Sequence, residues 1–122
     1  MKKIVMLHED LGTQMQIYLA LCDAYKVEIA ENVESAMYLL RKTKPEILLL
    51  DYKLDQFTSN GKTGVDFIRK VKKKYIDLKV MMIMDNNEQI QIQEHGVDEV
   101  LYKPIKNRNL ISNVRRLASA TA

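Results

Sequence analysis

Short apolar runs alternate with longer segments in which apolar residues recur every three or four positions. KIVML, residues 3–7, is apolar and bounded by charge, which predicts a strand. Residues 11–24, LGTQMQIYLALCDA, place Leu11, Met15, Ile17, Tyr18, Leu21 and Cys22 on one broad helical face. KVEIA, 26–30, alternates and reads as a strand. Asn32 is a natural N-cap for a helix over 34–43 that turns Ala36, Met37, Leu39 and Leu40 inward and stops before Pro45. EILLL, 46–50, is a third strand that runs into Asp51. Val65, Ile68, Val71 and Tyr75 mark a helix over 65–75, with the lysines of RKVKKK on its outer face. KVMMIM, 79–84, is a strand, and 86–94 a short polar helix with Gly96 in the position of a C-terminal cap. EVLY, 99–102, is the last strand, and 105–118 the last helix, carried by Ile105, Leu110, Ile111, Val114 and Leu117.

Strand and helix therefore alternate along one domain spanning residues 1–122, and such alternation predicts an α/β fold with a parallel sheet covered on both faces. EILLL and KVMMIM are continuously apolar, as central parallel strands should be. The tail ASATA is either a frayed end or the point from which a longer chain continues.

Composition changes this picture little. The chain is 47% hydrophobic and 29% charged, as ordinary globular domains are. No run approaches the ~18 apolar residues of a membrane span, and IVML is too short for a signal peptide core. A net charge of +3 is too mild to argue direct nucleic-acid binding. One cysteine, Cys22, excludes a disulfide framework and a thiolate metal cluster, and is expected to be a small buried hydrophobe. The reducing cytoplasm is the compartment that fits.

Parallel strands point their C-terminal ends at one edge, and ligands bind outside those ends. Here that edge collects His8, Glu9 and Asp10 after the first strand, Asp51 after the third, Met84 and Asp85 after the fourth, and Lys103 with Pro104 after the fifth. Asp51 has two readings: a turn or capping residue, or a carboxylate that a rigid strand holds up for chemistry. Converging carboxylates suit a hard cation such as magnesium. A lysine can pair with a phosphoryl group, and a carboxylate can be the nucleophile that accepts one. Together they suggest phosphoryl transfer to a side chain.

On PEILLLD, the Lys103-Pro104 pair and the strand-helix spacing, the chain resembles the receiver domain of two-component response regulators over almost its whole length. The resemblance implies a flavodoxin-like (βα)5 doubly wound fold with strand order 2-1-3-4-5. It implies that Asp51 accepts a phosphoryl group from a histidine kinase or phosphotransfer protein. Lys103, before a proline that is usually cis, would contact that group. Magnesium would be held by the acids after the first strand, here Glu9 with Asp10 as a substitute, by Asp51 and by the backbone carbonyl of Lys53. The output would pass to a fused domain or a partner through the face made by the fourth helix, the fifth strand and the fifth helix. Homodimers through that face are allowed but not required. No catalysis beyond transfer to its own aspartate is expected.

The departures are specific. His8 stands where the family has an acid, and is expected to be a strand-end polar residue. Met84 stands where the family has Thr or Ser, and Val100 where it has Tyr or Phe, with Tyr102 two positions on. The segment between Asp51 and Gly64 is longer than the family's and lacks its Met-Pro. The alternative is a pseudo-receiver that binds protein partners independently of phosphorylation.

Overall fold

The computed structural model describes residues 1–51, 64–85 and 96–119. In chain order these form β1 (Lys3–Leu7), α1 (Leu11–Leu21), β2 (Lys26–Ala30), α2 (Val33–Thr43), β3 (Ile47–Asp51), α3 (Gly64–Lys74), β4 (Lys79–Met84), β5 (Glu99–Tyr102) and α4 (Asn107–Ser119). The helix expected over 86–94, the segment 52–63 that contains Lys53, and His95 lie outside the described residues.

The five strands are parallel, in the order β2-β1-β3-β4-β5, as the resemblance implies. Alternation of side chains along each strand separates two cores. On one face Val5, Leu7, Leu48, Leu50, Val80, Met82 and Met84 meet α2 and α3. On the other Ile4, Met6, Ile47, Leu49, Met81 and Ile83 meet α1 and α4. β3 is buried along its whole length, which is why its sequence is apolar at every position before Asp51. Each such leucine removed from water contributes about 1.5–3 kcal/mol, so the centre of the sheet is the least yielding part of the molecule.

The helices start and stop where local chemistry dictates. The Asn32 side-chain oxygen accepts the Ser35 N–H at 2.8 Å and caps α2. Lys44 ends that helix at φ 50°, its N–H donating to the Leu40 carbonyl. Glu34 in the first turn and Arg41 and Lys42 in the last complement the helix dipole. The segment leading into α4 is tied to α1 by the Gln16 amide, which donates to the Ile105 carbonyl at 2.7 Å.

Three expectations need correction. α1 does not bury one broad face: Ile17 and Leu21 are buried, while Leu11, Met15, Tyr18 and Leu19 are exposed. The helix is apolar nearly all round, so periodicity could not select the inward side. Cys22 is half-buried because it follows the last turn. Of the α3 lysines, Lys72 does not simply face solvent. Its ammonium donates to the Leu78 carbonyl and to Asp98, both at 2.9 Å.

Asp98 in turn accepts the Val80 N–H at 2.8 Å, which locks the entrance of β5 to the start of β4. The chain reaches that lock through Gly96, at φ 95°, with the Lys72 side chain packed close to it. A side chain at such a φ is strained. Gly96→Ala is therefore expected to lose about 1–2 kcal/mol of stability in urea denaturation. An unchanged midpoint would contradict this placement of Gly96.

Candidate functional site

The pairing of β1 with β3 runs up to Leu7 opposite Leu50. One residue further along each chain stand His8 and Asp51. Side-chain alternation puts both on the α1 and α4 side of the sheet, in line with Ile4 and Met6 and with Ile47 and Leu49 respectively. Among the described residues these are the two buried polar side chains, His8 at 2% exposure and Asp51 at 5%. The sheet thus ends on a buried imidazole beside a buried carboxylate. The strand-end position expected for His8 is correct, and its depth of burial is the added finding.

The His8 Nδ1 lies 3.7 Å from the Asp51 Oδ2, too far for a hydrogen bond. Nδ1 instead accepts the Asp10 N–H at 3.1 Å. A neutral ring bonded in this way carries its proton on Nε2. Nε2 is buried and has no hydrogen-bond partner. Burial lowers the His8 pKa below its ordinary value of 6.5. The charge of Asp51 opposes the shift, and that of Lys103 adds to it.

Asp10 caps α1. Its carboxylate accepts both the Thr13 N–H, at 3.0 Å, and the Thr13 hydroxyl. These bonds, the hydroxyl first, hold its pKa below the usual carboxylate value. Glu9 is exposed at the same strand end. The Gln14 amide donates to the His8 carbonyl and fixes the turn between strand and helix.

On the other side of the site, the Lys103 N–H donates to the Met84 carbonyl at 2.8 Å, and the Lys103–Pro104 peptide is cis. Lys103 is half-buried and continues the alternation that puts Leu101 on the α1 and α4 side, as it does His8 and Asp51. Met84 is 1% exposed and belongs to the core under α2 and α3. Val100 packs against that same core. Tyr102 is 44% exposed and pairs in register with Met84. No hydroxyl stands at position 84, and the aromatic group nearest to it in register faces outward.

The expected cation ligands divide accordingly. Among the described residues, no three His, Cys, Asp or Glu side chains stand close enough together to hold a metal ion. Asp10 is engaged by Thr13. Asp51 and Glu9 stand at the same edge and are hard oxygen donors of the kind magnesium takes, one or two carboxylates completed by water and phosphate oxygens. The donor types at this edge are those magnesium takes, while the described residues bring fewer of them together than the resemblance implies.

Comparison with known proteins agrees with the fold. A family model described as the response regulator receiver domain matches residues 5–115. The phosphate regulon transcriptional regulatory protein PhoB of Pseudomonas aeruginosa is 26% identical over 98% of this chain and 53% of its own length, so the chain spans about half of that relative. The receiver domain of NtrX from Brucella abortus superposes with a TM-score of 0.84 at 20% identity, over 96% of this chain and 98% of that one. A response regulator receiver domain protein from Clostridium thermocellum gives 0.80 at 17% identity, over 98% and 95%. At these identities the two structures speak for the fold alone.

The lowered His8 pKa has a consequence for stability. Above 6.5 the imidazole is neutral both folded and unfolded, and burial costs no proton. Below that value the unfolded chain takes up a proton that the folded one resists, so stability falls. Urea midpoints are expected to drop from about pH 7.5 to about pH 5.5, and to drop less in His8→Asn. Equal pH dependence in the two proteins would contradict the burial of a neutral His8.

Proposed function

The chain belongs to the response regulator receiver domain family, and we propose that, within two-component signalling, it accepts a phosphoryl group on Asp51 from a histidine kinase or phosphotransfer protein and passes the signal to an output domain or partner. The observation that carries this reading is the place of Asp51. It is a nearly buried carboxylate at the end of the most deeply buried strand, with Lys103 at the end of the strand two places away.

In the proposed step an Asp51 oxygen attacks the donor phosphorus. The bond from phosphorus to the donor nitrogen breaks, its electron pair returns to the donor imidazole, and an acyl phosphate forms on Asp51. Lys103 offers a point charge to the arriving phosphoryl oxygens. A divalent cation, magnesium in the receiver family, would be held by Asp51, Glu9 and the Lys53 carbonyl, and when bound supplies positive charge to those oxygens.

The signal would leave through β5, α4 and the segment between β4 and β5, as in other receivers. Met84 argues that the response is small. A phosphoryl group finds no hydroxyl at that position, and the missing charge-assisted hydrogen bond is worth roughly 1.5–3 kcal/mol. The same buried Met84 favours a second reading, a binding module that works without phosphate.

Intact mass after incubation with a small acyl-phosphate donor and magnesium separates the two readings. The parent protein is expected to gain one phosphoryl group and Asp51→Asn none. Equal labelling of both would overturn the site. No labelling of a folded parent would favour the module. Amide spectra of the labelled protein should change around Asp51 and little across β5 and α4, and a change spread over those elements would contradict a small response.

A further inference from the structure

We propose that the edge of the sheet opposite Asp51 rests on an anionic lipid surface, with the cations at the ends of α2 and α3 on the headgroups and Ile76 dipping below them. This edge is separate from the phosphoryl-transfer site, and its test does not depend on that reading.

A net charge of +3 averages over two unlike edges. Where the strands end stand Glu9, Asp10, Glu31, Asp51 and Asp85. Where the strands begin, the helices finish, and they finish on cations. Arg41 and Lys42 lie in the last turn of α2, Lys44 follows it, and Lys73 and Lys74 lie in the last turn of α3. All five are exposed, and none pairs with an acid among the described residues.

Most acids of the same edge are held by the protein itself. The Glu46 carboxylate accepts the Lys3 N–H at 2.6 Å. Asp98 is taken by Lys72 and the Val80 N–H, and Glu99 by Arg116. Asp23 and Asp77 are exposed and offset part of the charge. The balance facing outward from α2 and α3 is positive.

Ile76 is the second observation. It is 83% exposed, in the turn between α3 and β4 and directly after Lys73, Lys74 and Tyr75. The ends of α2 and α3 meet there: Lys44, Pro45, Tyr75 and Ile76 line one cavity of about 300 Å³. The Lys74 ammonium lies 5.5 Å from the centre of the Tyr75 ring. An apolar tip among cations, beside a tyrosine, fits the boundary of a bilayer. Ammonium groups meet the headgroups, the ring sits at their level and the isoleucine enters the acyl boundary.

A nucleic-acid backbone would meet the same lysines and leave Ile76 in water, whereas lipid takes both. Among the described residues no helix is long and apolar enough to cross a membrane, so the contact is with the surface. The Asp51 crevice, at the far edge, then stays open to water and to partners.

The test is sedimentation of the whole protein with vesicles of phosphatidylcholine, alone or mixed with phosphatidylglycerol. The parent should bind the mixed vesicles and not the neutral ones, and binding should weaken as salt is raised, since such attraction falls off within a Debye length of about 8 Å at physiological ionic strength. A lysine near an anionic leaflet is worth roughly fivefold in partition, so Lys73→Glu with Lys74→Glu should lose roughly 25-fold or more. Ile76→Ser should lose roughly tenfold. Arg108→Glu, at the start of α4 on the other edge, should bind as the parent does. These side chains are exposed, and circular dichroism checks that each variant is folded. No binding of the folded parent to mixed vesicles, or equal binding by the parent and the double lysine variant, would overturn the proposal. So would a single-stranded oligonucleotide that binds the parent more tightly than the vesicles do and is indifferent to Ile76→Ser, which would assign this edge to nucleic acid.

Discussion

A carboxylate at the end of a strand buried on both faces is the constraint from which the rest of this molecule follows. β3 can end on Asp51 only because its backbone hydrogen bonds are satisfied on both sides, by β1 and by β4. The apolar residues below Asp51 bury too much surface for the strand to slip, since a shift of one residue would turn each of them to the wrong layer. Asp51 is therefore fixed in height by the core beneath it. A nucleophile so placed meets its reaction partner without first being ordered, which is what a group-transfer site requires.

Everything around Asp51 is set by the same sheet. β1 ends level with β3, so the residue after Leu7 has to be Asp51's neighbour, and here it is His8. An acid in that place would bring a second buried negative charge, which needs a cation to hold it. A neutral imidazole does not. α1 then begins at Asp10, whose carboxylate goes to Thr13. The negative charge expected at this edge is thus redistributed. One group is neutral, one serves the helix, Glu9 faces solvent, and Asp51 remains at the centre. On the far side Met84 fills the α2 and α3 core with an apolar side chain.

Much of this was legible in the sequence, because the sheet writes its period into the chain. Each strand expected from an apolar run is found within a residue of its place, and so is the α2 cap at Asn32. The acid at the end of EILLL and the lysine before Pro104 identify the crevice, since parallel strands all end at one edge. α1 was less legible because a helix apolar on every side carries no phase. The role of Asp10 depends on Thr13 three residues on, a capping pattern present in the chain but outweighed by its place beside Glu9. The burial of His8 was not legible. It depends on β1 and β3 ending at the same level, and register between strands separated by a whole βαβ unit leaves no local trace.

The most direct observable is the identity of the modified residue. Protein exposed to a phosphoryl donor can be reduced with borohydride, which converts an acyl phosphate to an alcohol, and then digested and mapped by peptide mass. The result expected is a single reduced residue at position 51, in the peptide that carries ILLL. Reduction at Glu9, Asp10 or Asp85 instead, or at no residue of a folded protein, would contradict the claim that the buried strand presents Asp51 for phosphoryl transfer.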